Sequence, residues 1–274
     1  MPVIAEKFAT CDPVWSDLRE EAVRMAAGEP ALASFVHATI LNHERLEEAL
    51  AYHMAQKLGN DDVGAMQVRH VFDQAFNDAP VLGDDVRADL SAIYERDPAV
   101  NSYVEPFLFF KGFHALQSHR VTHWLWSKGR RAMALHFQSR ISEVFAVDAH
   151  PAAKIGRGVM IDHGTGVVIG ETAVVEDDVS MLHGVTLGGT GKEQGDRHPK
   201  IRRGVMIGAS ATILGNIEVG AFSRVGAGSV VLSPVPERCT VAGVPAKIMG
   251  CAGCDKPAHE MNQLIQEYNG DYQI

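Results

Sequence analysis

From residue 155 onward the chain keeps a period of six. Aliphatic or small residues fall at Ile155, Ile161, Val167, Ala173, Val179 and Val185, then again at Ile201, Ile207, Ile213, Val219, Val225 and Val231. Glycine follows directly at Gly156, Gly208, Gly220 and Gly226. A hexapeptide period is the mark of a parallel β-helix, a solenoid of short strands with one inward aliphatic per side. Three hexapeptides make one coil of about 18 residues, and coils stack about 4.8 Å apart. The inward residues then form a narrow core, and glycine permits the left-handed turns at corners.

The period is interrupted once. Val185 to Ile201 is sixteen residues, not a multiple of six. With Val185–Thr190 as an ordinary side, residues 191–200 form an extruded loop of ten, GKEQGDRHPK. It is polar and charged, and a loop of that kind on a rigid solenoid is either a tolerated insertion or a functional arm.

The half before about residue 147 has no such period and reads helical. A run after Glu29-Pro30 places Leu32, Phe35, Val36, Ile40, Leu46 and Leu50 on one helix face. Further helices are expected over about 62–77, 83–94, 104–118 and 119–145, with a break at Gly129. A helical domain ahead of a solenoid covers open strand edges and can oligomerise. The expected organisation is α+β: a helical domain over 1–147, a β-helix over 148–250 and a tail over 251–274.

Charge and apolar content narrow the function. A net charge of −9 and a pI near 5.8 disfavour nucleic acid and anionic membranes as partners. No apolar run approaches the roughly 18 residues of a transmembrane helix. The start of the chain lacks a signal peptide's basic flank and apolar core. Cytoplasm is the expected compartment, and the four cysteines are expected as free thiols there. Cys251 and Cys254 form a C-x-x-C without a second pair or a βαβ context, so they are read as a tail feature.

Three strings carry candidate chemistry: Val147-Asp148-Ala149-His150-Pro151, Ile161-Asp162-His163-Gly164, and Gly195-Asp196-Arg197-His198-Pro199-Lys200. One coil of eighteen residues above Asp148 is Gly166, three residues from His163. The two therefore belong to adjacent coils, within one chain or across a subunit interface. A carboxylate beside a histidine makes a general base that awaits a substrate hydroxyl. Metal hydration would need three converging histidines. His150, His163, His183 and His198 include no H-x4-H pair, and no metal is expected. His114, His119 and His123 are read as packed or surface histidines, because no HExxH pattern accompanies them.

With these residues in hand, the chain resembles the serine O-acetyltransferases. The resemblance runs from about residue 14 to 250. It includes Glu29-Pro30-Ala31-Leu32-Ala33-Ser34-Phe35, Arg96-Asp97-Pro98-Ala99-Val100, Lys111-Gly112-Phe113-His114-Ala115-Leu116-Gln117 and His150-Pro151-Ala152-Ala153-Lys154-Ile155-Gly156. It continues through Asp162-His163, Val185-Thr186-Leu187-Gly188-Gly189-Thr190-Gly191, the Gly195–Lys200 string and Ala242-Gly243-Val244-Pro245-Ala246. The resemblance implies a left-handed parallel β-helix, trimerised along its sides, with helical domains pairing trimers into a hexamer. It implies acetyl transfer from acetyl-CoA to L-serine, with His163 as general base and Asp148 as its orienting carboxylate. By the same resemblance Asp97 and Asp162 meet the serine ammonium, and Arg197 and His198 meet its carboxylate. Gly189, Ala209, Ala227 and Lys247 match positions that hold CoA. L-Cysteine is implied as a competing inhibitor, and O-acetylserine sulfhydrylase as a partner of a tail ending in Ile274. The alternatives are another acceptor, such as homoserine or a sugar, and a silent scaffold for the sulfhydrylase.

Overall fold

The computed structural model describes residues 12–191, 194–251 and 254–264. Helices come first: α1 (Pro13–Gly28), α2 (Ala33–Val36), α3 (Leu46–Leu58), α4 (Ala65–Asp78), α5 (Val81–Arg96), α6 (Val104–Phe109), α7 (Lys111–Ser127) and α8 (Arg131–Phe145). Asp12 caps α1 by accepting from the Trp15 amide at 3.1 Å. The run after Pro30 is not one helix. A 3₁₀ turn, the short α2 and a π turn over His37–Leu41 precede a break before α3. Val36, Ile40, Leu46 and Leu50 are fully buried all the same, while Leu32 and Phe35 stay partly exposed. The expected join at residues 118 and 119 does not exist either. The chain breaks at Phe110, whose extended backbone starts α7, and turns again at Gly129 with φ +73°.

Short strands then wind into a parallel solenoid. One face stacks β1 (Val147–Ala149), β4 (Val167–Ile169), β7 (Thr186–Gly188), β10 (Thr212–Leu214) and β13 (Val230–Val231). A second stacks β2 (Lys154–Ile155), β5 (Val174–Val175), β8 (Lys200–Ile201) and β11 (Glu218–Val219). The third stacks β3 (Met160–Ile161), β6 (Ser180–Met181), β9 (Met206–Ile207), β12 (Arg224–Val225) and β14 (Cys239–Gly243). An antiparallel strand, β15 (Ala246–Cys251), covers the last edge.

The register corrects the sequence count in two places. Asp148 stacks under Val168, not residue 166, and Ile161 under Met181. The first coil is thus twenty residues long. An ordinary corner advances six residues between equivalent inward positions, as from Ile155 to Ile161, but Ile161 to Ile169 takes eight. The two extra residues fall at the Asp162-His163-Gly164 corner. Likewise Leu187 to Ile201 takes fourteen, so the extruded loop holds eight extra residues rather than ten. The discrepancy has one cause. Each side carries two inward positions, and the first register starts on one of them at Ile155 and Ile161 and passes to the other at Val167.

The halves share one continuous apolar core, and a polar joint pins them together. Asp89 on α5 is fully buried and accepts from Arg120 Nη2 at 2.7 Å, Gln117 Nε2 at 2.8 Å and the Val159 amide at 2.9 Å. Arg120 also donates to the Gly156 carbonyl at 2.7 Å. The three helix histidines serve the same packing. His114 donates to the Phe107 carbonyl, His119 to Ala153 and His123 to Pro151. Beyond β15, the short helix α9 (Pro257–Glu260) returns along the third face, where Ser180 Oγ donates to the Ala258 carbonyl at 2.8 Å. Among the described residues, no helix is long and apolar enough to cross a membrane. The Ile274 ending lies outside the described residues.

Candidate active site

The two-residue insertion shapes the first half of the site. The corners between the third and first faces carry a left-handed residue in each coil, at Gly166, Gly184, Ser210 and Gly228, and Ala146 takes the same position at the end of α8. His163 and Gly164 add a second left-handed pair, with φ +57° and +72°. Such a backbone is strained for histidine, and it turns the imidazole outward, where 74% of the side chain is exposed. The corner rests on the start of α7. A Cβ on Gly112 would lie 2.0 Å from the Ile161 carbonyl oxygen, so only glycine lets the helix approach so closely. Lys111 donates to Thr165 Oγ1 on the far side of the same corner.

That packing brings distant residues together. Asp97, just past α5, shares a pocket of ≈ 480 Å³ with Asp162, His163, Phe109, Phe110 and Gly112. His163 Nε2 stands 3.8 Å from Asp162 Oδ2. Burial pushes the Asp162 carboxyl above its ordinary range; His163 opposes that shift and neighbouring Asp97 adds to it. Two carboxylates in one partly apolar pocket make a site for a cation, because a cation relieves both burial and mutual repulsion.

The second half of the site stands at the other edge of the first face. There Arg197 and His198 fold back from the extruded loop. Arg197 Nη2 bonds Glu171 Oε2 at 2.7 Å, and this pair holds the Glu171 carboxyl below its usual range. The His198 ring lies flat on Gly170, where a Cβ would come within 2.0 Å of it. Lys200 Nζ ties the loop base to the Thr172 carbonyl at 2.9 Å and to Asp196 at 2.5 Å. Burial pulls His198 below the ordinary histidine range, and Arg197 adds to the effect. A guanidinium and a neutral imidazole side by side suit a carboxylate.

The remaining predicted residues fall at these edges, on the first face between them and on β15. Gly184 donates to the Thr165 carbonyl, Ser210 to His183 and Gly228 to Ala209, each at 2.8 Å. Thr165, His183, Ala209 and Ala227 therefore occupy the same position in successive coils, forming one column beside His163. Gly189 is at the opposite edge, beside Arg197 and His198. Lys247 is exposed on β15 opposite Ala242. Asp148 faces outward on β1 between buried Val147 and Ala149, and its Oδ1 accepts from Gln138 Nε2 at 2.7 Å. Three residues had no sequence role and acquire one from position. Glu171 and Thr172 hold the loop, and the His183 ring meets His163 edge-on, with centroids 5.9 Å apart. The sequence carried no signal for any of the three: with the loop counted as ten residues His183 falls on Ala211, and only the observed register sets it with Ala209 and Ala227.

Comparison with known proteins follows the same division. Residues 14–118 match the family described as serine acetyltransferase, N-terminal, and residues 198–233 match the bacterial transferase hexapeptide repeats. A serine acetyltransferase of Salmonella typhimurium is 56% identical over 257 residues, covering 94% of this chain and 93% of its own. A crystal structure of serine acetyltransferase from Brucella abortus in complex with coenzyme A superposes with a TM-score of 0.88 at 54% identity, covering 89% of this chain and 98% of that one. A serine acetyltransferase structure in complex with cysteine gives 0.91 at 55% identity, covering 92% and 98%.

Proposed function

The chain belongs to the serine acetyltransferase family, and on that premise we propose that it moves acetyl from acetyl-CoA to the hydroxyl of L-serine through His163. The observation that carries the reading is the pocket that joins Asp97 and Asp162 to an outward histidine. Asp97 and Asp162 receive the serine ammonium. His163 takes the hydroxyl proton as the oxygen attacks the thioester carbonyl. The C–S bond then breaks, the C–O bond remains, and the same imidazole returns the proton to the CoA thiolate. Asp148 is assigned the orienting carboxylate, and CoA is assigned to Gly189, Ala209 and Ala227, the last two in one column with Thr165 and His183, with Lys247 as a phosphate contact. The coenzyme A complex of the Brucella abortus relative supports this assignment of the co-substrate.

The serine carboxylate is assigned to Arg197 and His198, and distance favours a second chain as their source. Thr165 to Glu171 runs six residues along one face, roughly 20 Å at strand spacing. One serine cannot bridge that span. A second copy laid against the first face would bring its loop edge to the His163 edge, which accords with the expected trimer. L-Cysteine differs from L-serine only by thiol for hydroxyl, so it competes for the same pocket. The cysteine complex of the related structure supports this.

Thiol release from acetyl-CoA tests the reading, with L-serine, L-homoserine and a simple galactoside compared as acceptors, with and without L-cysteine. Release that needs L-serine and falls with cysteine is expected. Release with another acceptor alone would overturn the roles of Asp97, Asp162 and Arg197. No release with any acceptor would favour a silent scaffold.

A further inference from the structure

We infer that Thr172 is a positioning residue that holds His198 as a neutral imidazole with its proton on Nε2, so that the loop presents a hydrogen-bond donor to the acceptor's carboxylate. The inference rests on the proposal that His198 meets the acceptor, and it names what makes His198 fit for that contact.

A threonine hydroxyl has one hydrogen and two lone pairs. The Arg197 and His198 amides donate to Thr172 Oγ1 at 3.0 and 3.1 Å, which uses both lone pairs. His198 Nδ1 lies 2.9 Å from the same oxygen, in line to receive its hydrogen. The Thr172 amide also donates to Nδ1, at 3.2 Å. Nδ1 therefore faces two donors and carries no proton. The hydroxyl also lies within reach of Asp196; the amide contact keeps Nδ1 an acceptor whichever way the hydroxyl hydrogen turns. The proton of a neutral ring then sits on Nε2, over Gly170 and beside Gly189, neither of which has a side chain to cover it.

Protonating Nδ1 would set an N–H against both donors. The charged groups around the ring act mostly in the same direction. Burial is the largest influence against the cation, Arg197, Lys200 and His150 add to it, and Glu171 opposes it. Asp196 is itself bound by Lys200 at 2.5 Å. One residue at the solenoid corner thus sets both the backbone path where the arm rejoins the solenoid and the tautomer of the histidine there.

The test uses the full-length protein and four variants: Thr172→Ser, Thr172→Val, Thr172→Ala and His198→Gln. Nitrogen-15 histidine spectra, assigned by the signal lost in His198→Gln, should show a neutral Nε2–H ring in the parent. That ring should titrate below an ordinary histidine. Thr172→Ser should match the parent. Thr172→Val should move the titration back toward the ordinary value and raise KM for L-serine roughly five- to tenfold, with kcat and the KM for acetyl-CoA within about twofold. Thr172→Ala makes the same measurement without crowding the corner, should the valine variant fail to fold. Parent-like spectra and KM in both hydroxyl-free variants, or a serine variant as impaired as they are, would overturn the role of Thr172. An unchanged KM for L-serine in His198→Gln would instead overturn the contact between His198 and the acceptor, and the spectra would still report the tautomer.

Discussion

The two edges of the first solenoid face break the same rule by different amounts. At one, two extra residues put a left-handed His163-Gly164 pair into a corner; at the other, eight extra residues make an arm. The small insertion is supported from outside the solenoid, by the close seat of Gly112 on the Ile161 carbonyl. The large one is supported from within, by Thr172, Glu171 and Lys200. A two-residue bulge has too few side chains to hold itself, so it borrows a helix. An eight-residue arm has enough backbone amides to be tied down by one hydroxyl. A rigid repeat thus acquires chemistry where its period fails, and the support follows the length of the failure.

The largest effect should come from removing the group that the short insertion exposes. His163→Ala should lower kcat by about 10²- to 10⁴-fold, the usual worth of a general base, with CoA binding and the circular dichroism spectrum unchanged. Turnover near the parent value would separate the chemistry from this corner and leave the loop edge as the centre of the site.

Acid should distinguish the two kinds of support. His53 and His119 are buried neutral in the helical half; burial is the main cause, and it holds them at about 4 and about 3. Their folded values lie below the unfolded value of about 6.5. The stability they contribute is complete above about pH 6.5 and is lost as pH falls toward the folded values. Between pH 6.5 and 5 the loss is about 2 kcal/mol for each. Melting temperature should fall across that window. Hydrogen exchange should show the α7 start and the His163 corner loosening before the Thr172 corner. Equal loosening at both corners would mean that the helices do not carry the first.

Gly112→Ala probes the helical seat directly. The added methyl meets a backbone oxygen that cannot rotate away, so the helix or the corner must shift, at a cost of about 1–3 kcal/mol. Turnover should fall more than stability does, because His163 moves with the corner. The melting curve and kcat of one preparation give both numbers. A loss of stability with full activity would show that the corner keeps its own shape.

Glu171→Gln should have the smallest effect. The Arg197–Glu171 pair is partly exposed, with side-chain exposures of 28% and 40%, and such pairs contribute about 0.2–1 kcal/mol. A rise of up to about fivefold in KM for L-serine is expected, measured by thiol release across a serine titration. A loss as large as that of His163→Ala would make Glu171 part of the chemistry and remove the contrast between the edges.

The six-residue period, the helical first half and the interruption before Ile201 were legible because they are local and repeated. Every inward position reports the same burial, so a solenoid leaves its mark on each coil. Asp162, His163, Arg197 and His198 were legible as strings because they lie where the period is interrupted, while Asp148 sits in the middle of β1. What the period could not decide was which of two inward positions a register marked, and a shift of two residues moved Asp148 from residue 166 to Val168. The tertiary structure alone brought Asp97 to Asp162 and His163 across some 65 residues of chain. It also set Gly112 beneath them and closed Thr172 onto His198. Those contacts join elements of different period, a helix to a corner and a corner to a loop. A repeat specifies its own stacking, while the approach of two unlike surfaces depends on packing and hydrogen bonds that exist only once both are folded.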